Sequence, residues 1–394
     1  MDDIVIVAGA RSPIGDFGGV FKAMLCNQIL VPVMKEIIAR SGIEKSQFDD
    51  VIMGCCAQHS AEPNLGRTAA LLAGLPNEVT GMTIQRQCSS GMQAIVCGYQ
   101  QIATGDSDIV LAGGAESMST VPYSLKGARW GQRLQHGELT DSLWELLTDP
   151  IYKILMGETA ERLADKYGIS REEQDEIALR SHRNAISAID EGRFKEEMVP
   201  IPVPQRKGDP VMVDTDEHPR RDISLEKLSK LKPTFRKDGT VTAGNASGLN
   251  DGAAAVILMT ATRAREMGLK PLGRIAGFAR AGVEPDLMGY GPVPAIKKAL
   301  KKAGKTLGDI ELVELNEAFA AQYLACEKLL DLNREITNVN GSGVGLGHPV
   351  GCTGARITVS LLYEMKRRNL RWGLASMCVG GGMGMAMVFE REKE

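Results

Sequence analysis

What most restricts the fold of this 394-residue chain is an order of short aliphatic runs and amphipathic helical patterns that occurs twice, once towards each end. Near the start, Ile4 to Val7, Asp50 to Met53 and Ile109 to Ala112 read as buried strands, with helical patterns at Gln28 to Ser41 and after Gln87. Near the end, Leu312 to Leu315 and Leu374 to Val379 read as strands, with helices at Pro294 to Ala303 and after Gly351. Alternation of this kind implies an α/β domain. Pro32-Val33-Met34-Lys35 through Ser41-Gly42 also lies over Pro294-Ala295-Ile296-Lys297 through Ala303-Gly304, which drops Val51 onto Val313. Internal duplication explains the match, and so does coincidence between two amphipathic helices.

Between the halves, from about Ser119 to Asn245, the pattern changes. Charged helices, a proline-spaced stretch at Pro200, Pro202 and Pro204, and the polar run Asp214 to Asp222 read as an inserted domain or long excursion. The glycine-rich segment Val241 to Gly252 then leads back into the α/β scheme.

An apolar fraction of 43%, a charged fraction of 24% and a formal net charge of −3 argue against a general nucleic-acid or anionic-membrane binder. The lysines at 297, 298, 301 and 302 lie on a helical pattern and read as a solvated face. The chain opens on a strand-like run with no basic leader, holds no apolar stretch long enough to span a bilayer, and ends without a peroxisomal address. A cytoplasmic protein is therefore expected. Its eight cysteines (26, 55, 56, 88, 97, 326, 352 and 378) form no CxxC pair and have no histidines at metal spacing, so free thiols and no metal are expected.

Four segments carry chemistry. In Gln85-Arg86-Gln87-Cys88-Ser89-Ser90-Gly91 polar residues turn directly into a helix, placing Cys88 at a helix N-terminus, where unpaired N–H groups favour a thiolate nucleophile. A buried cysteine beside a tight turn is the bland alternative. In Asn340 to Ala355 glycines alternate before His348-Pro349, so the backbone can approach a ligand closely and His348 is held outside regular helix, as a base or an oxyanion donor. The glycine spacing fits neither a dinucleotide fingerprint nor a P-loop. Cys378-Val379-Gly380-Gly381-Gly382 ends a strand with a cysteine, which serves either as a proton carrier or as a small core residue. In Glu314-Leu315-Asn316-Glu317-Ala318-Phe319, Asn316 either caps the next helix or orients a water or substrate oxygen.

Together these blocks, in this order, with Gly244-Asn245-Ala246-Ser247-Gly248 between them, resemble the thiolase family, whose hallmarks are a Cys-Ser-Ser-Gly or Cys-Gly-Ser-Gly turn, Asn-Glu-Ala-Phe, Gly-His-Pro and Cys-x-Gly-Gly-Gly. The resemblance implies an α/β fold, thiolase-like, duplicated and five layers deep (α-β-α-β-α), with an inserted loop domain. Its parts here are 1–118 with 246–270 as the N-terminal half, 119–245 as the insertion with CoA-binding and oligomer contacts, and 271–394 as the C-terminal half. It implies ping-pong transfer between acyl-CoA and CoA: Cys88 as nucleophile, His348 as its base, Cys378 as the second acid and base. Asn316 would position a water for one oxyanion site, and the N–H groups of Cys88 and Gly380 would form the other. For CoA it points to Arg220 near the adenine and Ser247 on the pantetheine, lined by Leu147, Met156, Leu228, Leu231, Phe235, Ala243, Leu249, Met288, Ala318 and Phe319. CoA is a substrate and product, so no cofactor is expected. Family members are usually tetramers of two tight dimers, with the stretch from Val121 to Leu143 as the tetramer contact; a dimer is the alternative.

Acetoacetyl-specific members commonly carry a histidine where Leu155 precedes Met156-Gly157. With the Gln85 to Gly91 block, this resembles degradative, broad-chain members and suggests 3-ketoacyl-CoA substrates longer than four carbons, as in fatty-acid β-oxidation. An acetoacetyl-CoA-specific acetyltransferase is the alternative. A decarboxylating ketoacyl synthase of the same fold would lack a cysteine at 378, and a non-catalytic acyl-CoA-binding relative would have lost Cys88, His348 or Cys378.

Overall fold

A computed structural model describes residues 2–393. The N-terminal half contains β1 (Ile4–Arg11), α1 (Cys26–Ser41), β2 (Asp50–Gly54), α2 (Leu65–Leu72), β3 (Thr80–Ile84), α3 (Ser90–Thr104), β4 (Val110–Ser117) and, after a long excursion, β5 (Asn250–Thr260). The excursion carries α4 (Met156–Tyr167) and α5 (Arg171–Asp190). The C-terminal half contains β6 (Gly273–Gly282), α6 (Pro292–Ala303), β7 (Leu312–Leu315), α7 (Ala320–Leu330), α8 (Val350–Arg368), β8 (Trp372–Val379) and β9 (Met383–Glu390).

The two halves share one topology. In the first, the order is β3-β2-β4-β5-β1, with β3, β2 and β4 parallel and β5 antiparallel to both its neighbours. In the second it is β7-β8-β9-β6, with β7 and β8 parallel and β9 antiparallel to β8 and β6. A parallel bridge from Val313 to Thr337 occupies the place that β3 holds in the first half. The duplication is therefore real, and the matched segments are equivalent: α1 ends on Gly42 at φ 66°, and α6 ends on Gly304 at φ 65°, both left-handed caps that glycine adopts at least cost. Val51 and Val313 are buried in the equivalent strands β2 and β7.

Five layers result. Helix α1 packs with α2 on the outer face of the first sheet, α3 and α8 pack on each other between the sheets, and α6 covers the outer face of the second. The sheets meet edge to edge where β1 pairs briefly with β6, Val5 with Arg274 and Ile6 with Gly273. Central strands buried on both faces explain why β4 and β5 read as runs of small and aliphatic residues rather than as alternations. The middle layer is fully buried: Met92, Ile95, Ile357 and Leu361 are all at 0% exposure in one cluster with Ile6 and Met377. Truncating one such side chain to alanine costs about 2–5 kcal/mol.

The excursion leaves the sheet after Ser117 and returns at Asn250. The proline-spaced stretch forms a two-stranded ribbon, Ile201–Val203 with Val211–Val213. Buried polar ties anchor it to the core: the Arg11 guanidinium donates to Glu197 at 2.5 Å and to Asp216 at 2.7 and 2.9 Å. Among the described residues no helix is long and apolar enough to cross a membrane.

Candidate active site

Cys88 sits on a tight turn between β3 and α3. Gln87 takes φ 45°, a left-handed conformation that a non-glycine residue adopts only when its surroundings impose it. The two serines after Cys88 impose it. Ser90 Oγ accepts the Arg86 N–H at 2.8 Å and donates to Gln87 O at 2.6 Å, and Ser89 Oγ donates to Arg86 O at 3.0 Å. The chain reverses over four residues, and Cys88 is left two positions before the first helical residue.

The helix end does not act on the thiol as the sequence suggested. Burial pushes the Cys88 thiol above its ordinary value, and the backbone N–H groups of Gly380 and of Cys88 itself, which face the sulfur, only partly oppose this. Cys88 is therefore held as a thiol rather than a thiolate. The N–H of Gly380 reaches it because β8 and β9 are joined through Gly380-Gly381-Gly382, with φ 81° and 79° at the last two. Cys378, at the end of β8, has 0% exposure; burial raises its thiol well above the ordinary value, with the neighbouring Cys88 next in effect.

His348 is placed by three local features. Gly347 has φ 98°, and a Cβ there would lie 2.7 Å from the Asn250 side chain, so only glycine lets the chain turn here. The His348 N–H then donates to Asn250 Oδ1 at 2.8 Å. Pro349 is the N-cap of α8, consistent with the bar on helical geometry before proline. The ring lies between two polar groups, with Nδ1 at 2.6 Å from Thr353 Oγ1 and Nε2 at 3.5 Å from Asn316 Nδ2. Burial, and then the Arg356 guanidinium, lower its pKa to about 3, so the imidazole is neutral at physiological pH. Asn316 is no helix cap, since α7 starts at Ala320 with Phe319 as its N-cap; it is fully buried against His348, and its own N–H is held by Ser376 O at 2.9 Å.

A pocket of about 370 Å³ opens on Cys88 and Gly380, and its wall includes Leu147 and Met156. Val350, two residues beyond His348, lines the same pocket. Met156, Phe235, Met288, Ala318 and Phe319 belong to the apolar cluster that holds Cys378, with Phe235 and Phe319 edge to face at 6.1 Å. The Ser247 N–H donates to Ala318 O at 2.9 Å, which sets that segment beside the same cluster. Leu147 and Leu249 pack near Cys88. Leu228 and Leu231 lie against Gly244, and Ala243 beside them is exposed. Arg220 stands elsewhere, exposed, its N–H donated to His182 Nδ1 at 3.1 Å.

Some residues that shape the site were not anticipated. Cys56 lines the pocket, and its thiol donates to Gln87 Oε1 at 3.2 Å. Glu116 accepts N–H groups from Cys56 at 2.9 Å, Ala57 at 3.0 Å and Gly351 at 2.8 Å. An acid at the end of the small-residue strand β4 was the available signal for it. Cys26, Cys55 and Glu116 place three possible metal ligands within 4.8 Å of one another, but the carboxylate oxygens are already engaged by those N–H donors. All eight cysteines are free thiols.

Two neighbouring thiols, one from each α/β half, with a backbone N–H facing the first, and a buried neutral imidazole just before the helix that lines the same pocket define a centre suited to covalent acyl transfer. Comparison with known proteins agrees. The family profile described as "Thiolase, N-terminal domain" matches residues 4–262, and "Thiolase, C-terminal domain" matches residues 269–391. The acetyl-CoA acetyltransferase of Pseudomonas aeruginosa is 48% identical over 393 residues, covering 100% of both chains. The crystal structure of the Bacillus anthracis acetyl-CoA acetyltransferase superposes with a TM-score of 0.98 at 59% identity, covering 99% of each chain. That of human mitochondrial 3-ketoacyl-CoA thiolase in complex with CoA gives a TM-score of 0.95 at 44% identity, covering 99% of this chain and 98% of the other. The chain belongs to the thiolase family and is an acyltransferase.

Proposed function

We propose that this thiolase cleaves 3-ketoacyl-CoA with CoA, or runs the reverse Claisen condensation, by ping-pong chemistry through an acyl-Cys88 intermediate. In cleavage, the Cys88 proton passes to His348 Nε2 and the sulfur attacks the keto carbon. The bond between the two carbons next to the thioester breaks, and Cys378 protonates the departing acetyl-CoA enolate. CoA then gives its proton to the Cys378 thiolate and takes the acyl group from Cys88, whose sulfur recovers its proton from His348. Asn316 and His348 would hold the enolate oxygen, the former through a water, and the N–H groups of Cys88 and Gly380 the tetrahedral oxyanion. The observation that carries this reading is the Gly380 N–H facing the Cys88 thiol, with the Cys378 thiol next to it.

The CoA would lie with its pantetheine along Ser247 and the apolar set Leu147, Met156, Leu228, Leu231, Phe235, Ala243, Leu249, Met288, Ala318 and Phe319, and its adenine end towards Arg220, so that residues 119–245 act as the CoA-binding excursion. No cofactor takes part. The absence of a histidine at Leu155 supports a preference for chains longer than four carbons, as β-oxidation requires. A cytoplasmic homotetramer is the assembly we assign. Its support is the hairpin Tyr123–Leu125 with Leu139–Asp141, which exposes Tyr123, Leu125, Trp130, Leu134 and Leu139.

The test is incubation of the purified protein with CoA and 3-ketoacyl-CoA thioesters from four to sixteen carbons, beside a Cys88→Ser control. Cleavage lost in the control is expected, fastest above four carbons. Cleavage that survives in the control overturns the nucleophile assignment, and much faster turnover of acetoacetyl-CoA overturns the chain-length reading. A light-scattering mass near that of one dimer excludes the tetramer.

A further inference from the structure

The His348 ring has two nitrogens and one proton when neutral, and which nitrogen carries it decides whether the side chain can take a proton from Cys88. The environment of each nitrogen is defined. Nε2 stands 3.5 Å from the Asn316 side-chain amide, at the limit of hydrogen-bonding distance, so the tautomer is decided at the other nitrogen. Nδ1 faces Thr353 Oγ1 at 2.6 Å. Thr353 is fully buried, and its hydroxyl donates to Pro349 O at 2.9 Å, one turn back in α8. A hydroxyl has one proton. With that proton on Pro349 O, the oxygen offers the imidazole a lone pair, and the hydrogen between Thr353 and His348 is the ring's own. The opposite tautomer would turn the Thr353 proton away from its carbonyl and towards the ring.

We propose that Thr353 is a positioning residue of the acyl transfer: its hydroxyl accepts the Nδ1 proton of His348 and so holds the ring in the one tautomer whose Nε2 lone pair can receive the Cys88 proton. This rests on His348 acting as the base for Cys88, as read above. The spacing makes the device local. His348 and Thr353 flank the N-cap Pro349, so the proline that keeps the histidine out of the helix also supplies the carbonyl that orients the hydroxyl. The Asn250 side chain fixes the backbone at His348 independently, so Thr353 is needed for the ring's proton and not for its place in the chain. Its closest analogue is the partner that fixes a catalytic or metal-bound histidine through the nitrogen away from the reaction; losing such a partner typically lowers activity or metal affinity about 10–100-fold.

The experiment combines kinetics with histidine-selective 15N NMR, which is tractable because the chain has only five histidines. The His348 signals are identified by their loss in a His348→Asn variant. In the wild type the shifts of His348 are expected to show the proton on Nδ1; a proton on Nε2 overturns the proposal without any Thr353 variant being made. In Thr353→Val, which keeps the shape and removes the hydroxyl, kcat is expected to fall about 10–100-fold with KM for the acyl-CoA nearly unchanged, and the His348 signals to move from the Nδ1-protonated pattern. Thr353→Ser is expected to restore both. A valine variant with wild-type kcat and an unchanged tautomer overturns the proposal, as does a serine variant as impaired as the valine one. Should His348→Asn retain full cleavage while Cys88→Ser has none, the base assignment itself fails, a different result from a silent Thr353.

Discussion

Glu116 accepts the backbone N–H of Gly351 at 2.8 Å, so a carboxylate on the last strand before the excursion holds the first turn of the helix that follows His348, far away in sequence. The same side chain holds Cys56 and Ala57. One buried acid thus ties the loop after β2 to the start of α8 across the boundary between the halves. Removing it strands three N–H donors in the interior, each worth about 1–3 kcal/mol if no partner replaces it. Glu116→Ala is expected to lose about 3 kcal/mol or more in urea unfolding. A loss below about 1 kcal/mol would show that the loops do not depend on it.

The acid limb of stability should carry the signature of two buried histidines. His182 and His348 are both lowered to about 3, chiefly by burial. Between that value and the unfolded value near 6.5, the unfolded chain binds protons that the folded one refuses, so stability rises with pH across the window and is lost as pH falls through it. Each histidine contributes about 1.4 kcal/mol per pH unit. His182→Asn, whose amide oxygen can still accept the Arg220 N–H, is expected to flatten the dependence of unfolding free energy by about one proton between pH 4 and 6. An unchanged slope would mean that His182 is already charged in the fold.

Glu314 should act with the opposite sign. It is buried, its carboxylate stands 3.8 Å from the Arg356 guanidinium, and burial outweighs that cation to push its pKa up to about 8. Between its unfolded value near 4.3 and about 8 the folded chain holds a proton that the unfolded chain releases, so this group lowers stability as pH rises. Glu314→Gln, a stand-in for the protonated acid, is expected to gain on the wild type between pH 5 and 8, by up to about 1.4 kcal/mol per unit. If instead the glutamine variant is about 3–5 kcal/mol weaker at pH 7, the acid is ionised there and pairs with Arg356.

Two glycines separate close packing from backbone conformation. A Cβ on Gly114 would lie 2.2 Å from the Gly351 carbonyl, whereas Gly42 has φ 66° and nothing within 4 Å of the added atom. Gly42→Ala is expected to cost about 1 kcal/mol of conformational strain. Gly114→Ala should cost several times more, with a fall in activity, because β4 cannot retreat from α8 without moving Glu116. Equal losses in thermal unfolding would show that the contact at Gly114 relaxes freely.

Much of the architecture was legible because it is local. Aliphatic runs and helical periodicity gave β1, β2, β4, β7 and β8 and α1, α3, α6 and α8 within a few residues, and the match of Pro32 with Pro294 marked a duplication that the strand order confirms. α6 starts two residues before its reading, at Pro292, and β5, β6 and β9 were not read as strands, since small and glycine-rich runs carry little periodicity. The polar run from Asp214 to Asp222 was misleading in one respect: it looks like surface, yet Asp216 and His218 are buried at 6% exposure each. Charge in a sequence reads as solvent-facing until the partner is known, and the partner of Asp216 is Arg11, from the other end of the chain.

The sequence by itself determined the chemical groups and their local geometry: the serines that lock the Cys88 turn, the proline that releases His348 from its helix, the glycines that end β8. Each acts over a few bonds, so its effect is written in adjacent residues. Tertiary structure decided everything that depends on distance between segments. It raised the Cys88 thiol where the helix end alone suggested a thiolate, made Asn316 a neighbour of His348 instead of a cap, and hung Gly351 on Glu116. Burial and approach are sums over all the elements that surround a group, and no stretch of chain encodes them alone.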